Sequence, residues 1–184
     1  QSATGPDVEG WLEFTPPGGS PDSFVLHAVL AITGGEMVRE AGVTFDRHDK
    51  GGRNEGVFLR AAAGQSGIGF FSEFDGERHY SAERFRDCDV RLGRSFTLRI
   101  LVRKRLINVY VDDVLVAAHQ LNTREPGGVR LWTNDASAEF HFLQLDSLPG
   151  NVAMAPADSI KTFSTSVELD PRHASHEEFL DAVQ

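Results

Sequence analysis

Between Phe96 and Leu145 the chain falls into short runs in which every second residue is apolar, divided by turn-forming residues. A period of two places alternate side chains on opposite faces of an extended strand, so this stretch can be read as strands and as little else. Phe96, Leu98, Ile100 and Val102 share one face, and Lys104 and Arg105 turn the chain. Ile107, Val109 and Val111 follow, then a second turn at Asp112 and Asp113, and Val114 to His119 returns. Three antiparallel strands in a meander are expected. Pro126, Gly127 and Gly128 close the next loop, Val129 to Thr133 is a strand, Asn134 and Asp135 turn it, and Ser137 to Leu145 is the last.

The earlier part follows the same rule. Trp11 to Thr15 is a short strand ended by the Pro/Gly-rich residues 16–21. From Ser23 to Ile32 both faces are apolar, as in a strand buried on both sides. Gly34 and Gly35 are read as a turn before a strand over residues 37–46. A polar loop covers 46–54, and further strands are expected at 57–60, 66–74 and 77–80. Asp75 and Gly76 give a tight-hairpin signal. The sum is an all-β chain: a two-sheet antiparallel sandwich of short strands. The organisation read from this is a lead-in over 1–9, a sandwich over 10–148, and a linker and tail over 149–184. That tail ends in a short helix at 174–183, which Ser175 caps and Phe179, Leu180 and Val183 make amphipathic.

Charge excludes some partners. The net charge is -9, so nucleic acid is not the expected partner. No apolar run approaches the ~20 residues of a membrane span. The polar start does not read as a signal segment, so a removed leader or a longer parent chain is expected. Extracellular or periplasmic placement is favoured. Fifteen of the eighteen basic residues are arginine, which suits bidentate contacts to oxygen ligands. Cys88 is the one cysteine, so no internal disulfide or thiolate metal cluster is expected. Its neighbours Asp87 and Asp89 should raise its pKa, which argues against a reactive thiol.

The series FTLRILV, INVYVDD, VLVA, GGVRLW, an Asn-Asp turn and EFHFLQL resembles the C-terminal half of concanavalin A-like jelly-roll sandwiches. It is similar to the C-terminal sandwich of glycoside hydrolase family 32 and to levan-binding carbohydrate-binding modules. The sandwich of 3-keto-disaccharide hydrolase-like proteins is similar. The resemblance covers about residues 10–148 and is strongest from Phe96 onward. It implies two curved antiparallel sheets, with saccharide held on a concave face or at its edge. Many relatives have Phe-Asp-Asn-Leu in the last strand, where this chain has Phe142, Leu143, Gln144 and Leu145. The five-bladed catalytic propeller of family 32 enzymes has no counterpart in this sequence. Some relatives hold a structural calcium through acidic groups near the terminal strands. Here Asp146, with Asp7 or Glu13, is what the chain offers.

The expected function is therefore a non-catalytic carbohydrate-binding or accessory sandwich, part of or partnered with a glycoside hydrolase. Its partners would be an oligo- or polysaccharide and a catalytic domain or subunit, with no membrane and no cofactor. The expected ligand-binding residues are Asp46, Glu73, Arg78, Arg84, Tyr110 and Trp132. Tyr110 and Trp132 fall opposite their strands' main apolar set, where a ring could stack on the apolar face of a sugar. The carboxylates and arginines would hydrogen-bond hydroxyls. Two alternatives stay open. One is a small glycosidase, because Glu73, Asp75 and Glu77 would share a face of a continuous strand, and a retaining mechanism needs carboxyl groups ~5–5.5 Å apart. Laminarinase-like jelly rolls show a similar pattern. The other is an interaction domain that docks through its C-terminal tail. Asp46, His48 and Asp49 lie close in sequence but match no metal-ligand spacing, so no metal site is assigned. No Gly-x-Ser-x-Gly elbow is present.

Overall fold

In the computed structural model, described residues are 2–3, 9–16, 19–47, 53–62, 64–74, 77–80, 85–121, 123–157 and 159. The tail helix expected at 174–183, the Asp75–Gly76 turn, Arg84, and His48 with Asp49 lie outside them. The strands are β1 (Ser2–Ala3), β2 (Glu9–Phe14), β3 (Ser23–Arg47), β4 (Arg53–Ala62), β5 (Gln65–Phe74), β6 (Glu77–Tyr80), β7 (Arg86–Asp87), β8 (Ser95–Arg103), β9 (Leu106–Val111), β10 (Val114–Gln120) and β11 (Gly128–Ser147). Every pairing is antiparallel.

Two very long strands tie the layers together. The first half of β3 pairs with β8 on one side and with the second half of β11 on the other. With β9 and β10 beyond β8, this is the first sheet. The second half of β3 pairs with β4 and with the first half of β11. Carried on through β5 and β6 on one side and β2 on the other, this is the second sheet. Between them lies one apolar core. Phe24, Leu26, Leu98, Ile100, Ile107 and Val109 come from the first sheet, and Val43, Phe45, Val57, Leu59, Ile68 and Leu131 from the second. Phe24 and Phe45 meet edge to face at 5.6 Å across it.

The expected turns at Gly34–Gly35 and Asn134–Asp135 are corners within continuous strands. Here β3 and β11 pass together from one sheet to the other, and residues 36–39 loop out of the ladder. Asp135 explains why the corner holds. It sits at φ 47° with no exposed surface, and its carboxylate accepts the backbone N–H groups of Glu36, Met37 (2.6 Å) and Val38 (2.8 Å). Ladder bonds lost at the bend are thus replaced by one side chain.

Past Leu148 the chain lies back on the outer face of the first sheet. Arg103 donates to the carbonyls of Pro149 (2.8 Å) and Val152 (2.9 Å). The fully buried Asn108 amide pairs with the backbone of Ala155 in both directions, at 3.0 and 2.7 Å. The segment read as a linker is, over 149–155, a strap fixed to its own sandwich.

Candidate functional site

Register decides which side chains share the outer face of the second sheet. Core-facing Val43, Val57 and Phe70 are paired across β3, β4 and β5, so the residues between them point outward. The outward set is Glu9, Trp11 and Glu13 on β2, and Arg130, Trp132 and Asn134 on β11. Across the sheet it continues with Glu40, Gly42 and Thr44 on β3, Asn54, Gly56, Phe58 and Arg60 on β4, Gly69, Phe71 and Glu73 on β5, and Arg78 and Tyr80 on β6.

This face is strongly concave. Its edge strands β2 and β6 are separated by β11, β3, β4 and β5. At ~4.8 Å per strand a flat sheet would hold them about 24 Å apart, beyond side-chain reach. Yet Arg78 on β6 forms a two-nitrogen ion pair with Glu9 on β2, its Nη2 donating at 2.9 Å. The sheet therefore curls until its edges clasp across the face.

Glycine makes the curl fillable. A Cβ on Gly56 would lie 2.2 Å from the Phe71 ring, and one on Gly69 would lie 2.2 Å from the Phe58 ring. The two rings lie down over the two glycines and meet Trp132 at 5.3 and 5.9 Å. Phe58, Phe71 and Trp132, each 1% exposed, form a second small core. Arg78 covers it, with its guanidinium 4.8 Å from the Phe71 ring and 5.0 Å from the Trp132 ring.

A polar network rims this aromatic floor. Glu73 accepts from Arg78 Nε (3.1 Å), Asn54 (3.2 Å) and Arg47 (3.4 Å). Burial alone would push its carboxyl up, but the bonds from Asn54 and Arg78 and the charges of Arg78 and Arg47 outweigh burial and hold it below its ordinary value. For Arg78 burial works downward, and the bond and charge of Glu9, with Tyr80, raise its pKa instead. Arg130 pairs with Glu13 at 2.9 Å and stacks on Trp11 at 4.8 Å. Arg60 binds the buried Glu40 at 2.7 Å. A pocket of about 220 Å³ opens beside this rim, between Phe58, Arg60, Gln65, Tyr80 and Phe85.

Three polar atoms on this face are buried without a hydrogen-bond partner: Thr44 Oγ1, Arg47 Nε and Trp132 Nε1. Thr44 is 3% exposed and Trp132 1%. Thr44 pairs with Arg130 in the register, and Trp132 lies two residues further along β11.

The residues expected from sequence are thus divided. Glu73 and Arg78 are brought together. Trp132 is on the same face, but it is buried rather than exposed, because Arg78 and two phenylalanines cover it. Tyr110 is on the other sheet's outer face, stacked under Arg99 at 4.5 Å. Asp46 is buried at the end of the sandwich, where Arg124 grips it at 2.6 and 3.0 Å and Ser20 donates at 3.0 Å. Glu73 pairs with Arg78 and Phe74 with Glu77, so Glu73 and Glu77 point to opposite faces. The chain reversal between β5 and β6 breaks the single-strand geometry that a two-carboxylate mechanism assumed.

Among the described residues, the acidic groups considered for calcium are not brought together either. Glu13 is held by Arg130 on the second sheet, while Asp146 pairs with Val25 on the first. Asp7 is outside the described residues, among which no three His, Cys, Asp or Glu side chains gather as metal ligands. The Cys88 thiol is pushed up, by burial first and then by Asp112, Asp87 and Asp89.

Sequence reading missed Glu9, Glu40, Thr44, Arg47, Asn54, Arg60, Tyr80 and Arg130, and considered Glu13 for calcium alone. One signal was present: Gly56-x-Phe58 and Gly69-x-Phe71 each place glycine and ring on one face of neighbouring strands, the pattern of rings lying flat on a sheet.

The architecture is that of jelly-roll β-sandwiches. Carbohydrate-binding module CBM66 from Bacillus subtilis matches with a TM-score of 0.64 and 18% identity, over 77% of this chain and 83% of that one. Galectin LEC-6 of Caenorhabditis elegans matches at 0.53 and 15%, over 77% and 92%. A variant of human galectin-16 matches at 0.54 and 11%, over 75% and 94%. No family model and no curated protein matches the sequence.

Proposed function

We propose that this chain is a non-catalytic saccharide-binding sandwich whose site is the curled outer face of the second sheet. One observation carries the reading: Thr44 Oγ1 and Trp132 Nε1 are buried without a hydrogen-bond partner on the face that also holds the Glu73–Arg78 pair. An unsatisfied buried polar group costs about 1–3 kcal/mol, so two on one face favour a polar occupant there. A saccharide supplies hydroxyls for these groups and apolar CH faces for rings. Trp11 and Tyr80, 57% and 49% exposed, offer rings on opposite edges of the face. The pocket by Tyr80 is below the roughly 300–1,000 Å³ of drug-sized ligand sites, a scale suited to one sugar ring. The structural match to a carbohydrate-binding module supports the same reading. Within it, the module serves as an accessory to a glycoside hydrolase outside the cell.

Thr44→Val tests this directly. The substitution removes a hydroxyl with no partner in the protein, so stability should be unchanged or slightly higher. Affinity gels containing fructan, glucan, galactan or uronan should retard the wild-type protein and release the variant. Retardation of neither by any glycan overturns the proposal.

A further inference from the structure

Resting on that reading, we propose that the bound saccharide is acidic, and that its carboxylate replaces the Glu9 carboxylate on Arg78. The guanidinium of Arg78 divides its work. Its Nε is committed to Glu73, which is 8% exposed and is also held by Asn54 and Arg47. Its two Nη atoms face outward and are both taken by Glu9, whose side chain is 37% exposed and stands on an edge strand. One edge of the fork is therefore built into the protein, and the other is capped by a group that can swing into solvent.

What Glu9 leaves behind is a carboxylate receptor. Two parallel N–H groups in a fixed plane match a carboxylate, and neither hydroxyls nor a point charge need that geometry. The plane is fixed already, because the guanidinium rests on Phe71 and Trp132 and is anchored through Nε. Charge agrees. Around this end of the face Arg47, Arg78 and Arg130 balance Glu9, Glu13 and Glu73. With Glu9 swung into solvent, the outward edge of Arg78 lacks a contacting counter-charge, which a monoanionic sugar unit supplies. Displacement also unfastens the clasp between β2 and β6, while Arg78 stays seated on Phe71 and Trp132. Glu9 would thus hold the place of the ligand's acid group while the site is empty.

Calorimetric titration of the full chain with tetragalacturonate and with its fully methyl-esterified form is the test. Wild type should bind the acid and not the ester. Glu9→Gln keeps the shape and removes the competing charge, so it should bind the acid about tenfold more tightly, as when a closed population is released. Arg78→Lys keeps the charge but loses the fork, and should lose the acid. Equal affinity for acid and ester, or an acid affinity that Glu9→Gln leaves unchanged or weakens, overturns the proposal. If neutral glycans bind and Glu9→Gln weakens them, the acidic class is wrong and the saccharide reading stands. If neither acidic nor neutral glycans bind any of the three proteins, both fall.

Discussion

Asp46 was expected on sequence grounds to touch ligand, and its surroundings instead make it a measure of how the sandwich end is held. Arg124 and Asp46 are 4% and 2% exposed, and their two charge-assisted bonds are 2.6 and 3.0 Å long. The same guanidinium donates to the carbonyls of Asp22 (2.7 Å) and Pro21 (2.9 Å), which ties the loop before β3 to the end of that strand. Asp46→Ala removes one partner of a buried pair, a change that costs about 3–5 kcal/mol because the other charge stays buried. Alanine at φ 61° adds strain of about 1–2 kcal/mol, which asparagine tolerates better. At roughly 2–4 °C per kcal/mol for a chain of this size, the pair term alone lowers Tm by about 6 to 20 °C. Asp46→Asn should lose less, and Asp46→Ala with Arg124→Met should recover part of the loss, since no unpaired charge remains. Thermal melts followed by far-ultraviolet circular dichroism read all three. A drop of under about 2 °C in Asp46→Ala refutes the reasoning, because that corresponds to less than 1 kcal/mol.

Other expectations follow from the same geometry. Gly69→Ala should destabilise by about 1–3 kcal/mol in urea unfolding, since its Cβ would meet the Phe58 ring and the small outer core must shift. Glu73 contributes a pH-dependent term. Its folded carboxyl titrates below its unfolded value, so its stabilisation is complete above the unfolded pKa and fades as pH falls through the folded one. Glu73→Gln should therefore be less stable than wild type at neutral pH, and acid titration of unfolding free energy should show that gap closing below the ordinary carboxylate range. Asn108→Leu should cost about 1–3 kcal/mol by leaving the Ala155 N–H and C=O unmatched, and hydrogen exchange at the Ala155 amide should quicken. In a chain ending at 148 the same substitution should be close to neutral.

The strands were legible because alternation is a local signal. Phe96 to His119 shows its three strands at nearly their observed ends. The two corners were not legible, because Gly34 and Asn134 look like ordinary turns. Only the partnership of Asp135 with the amides of residues 36–38, about a hundred residues away, keeps the strands continuous. The site was legible only in part. Glu73 and Arg78 are adjacent across a hairpin, so local reasoning reached them. Glu9 meets Arg78 only because the sheet curls, and curvature is a property of the whole sheet. Trp132 was placed on the correct face but with the wrong exposure, since its cover comes from β4, β5 and β6.

The shared length of β3 and β11 also bears on how fast the molecule can form. Their ladder joins Arg47 to Gly128 at one end and Phe24 to Ser147 at the other, pairings about 80 to 120 residues apart in the chain. Each sheet needs this ladder at its centre, so neither sheet can be completed before the chain's beginning finds its end. The entropy of closing that loop must be met before its contacts repay it, which places such a topology among slow folders, in milliseconds to seconds. The meander of β8, β9 and β10 is local and can form alone. It would wait, with β8's free edge exposed, for a partner that is threaded through both layers.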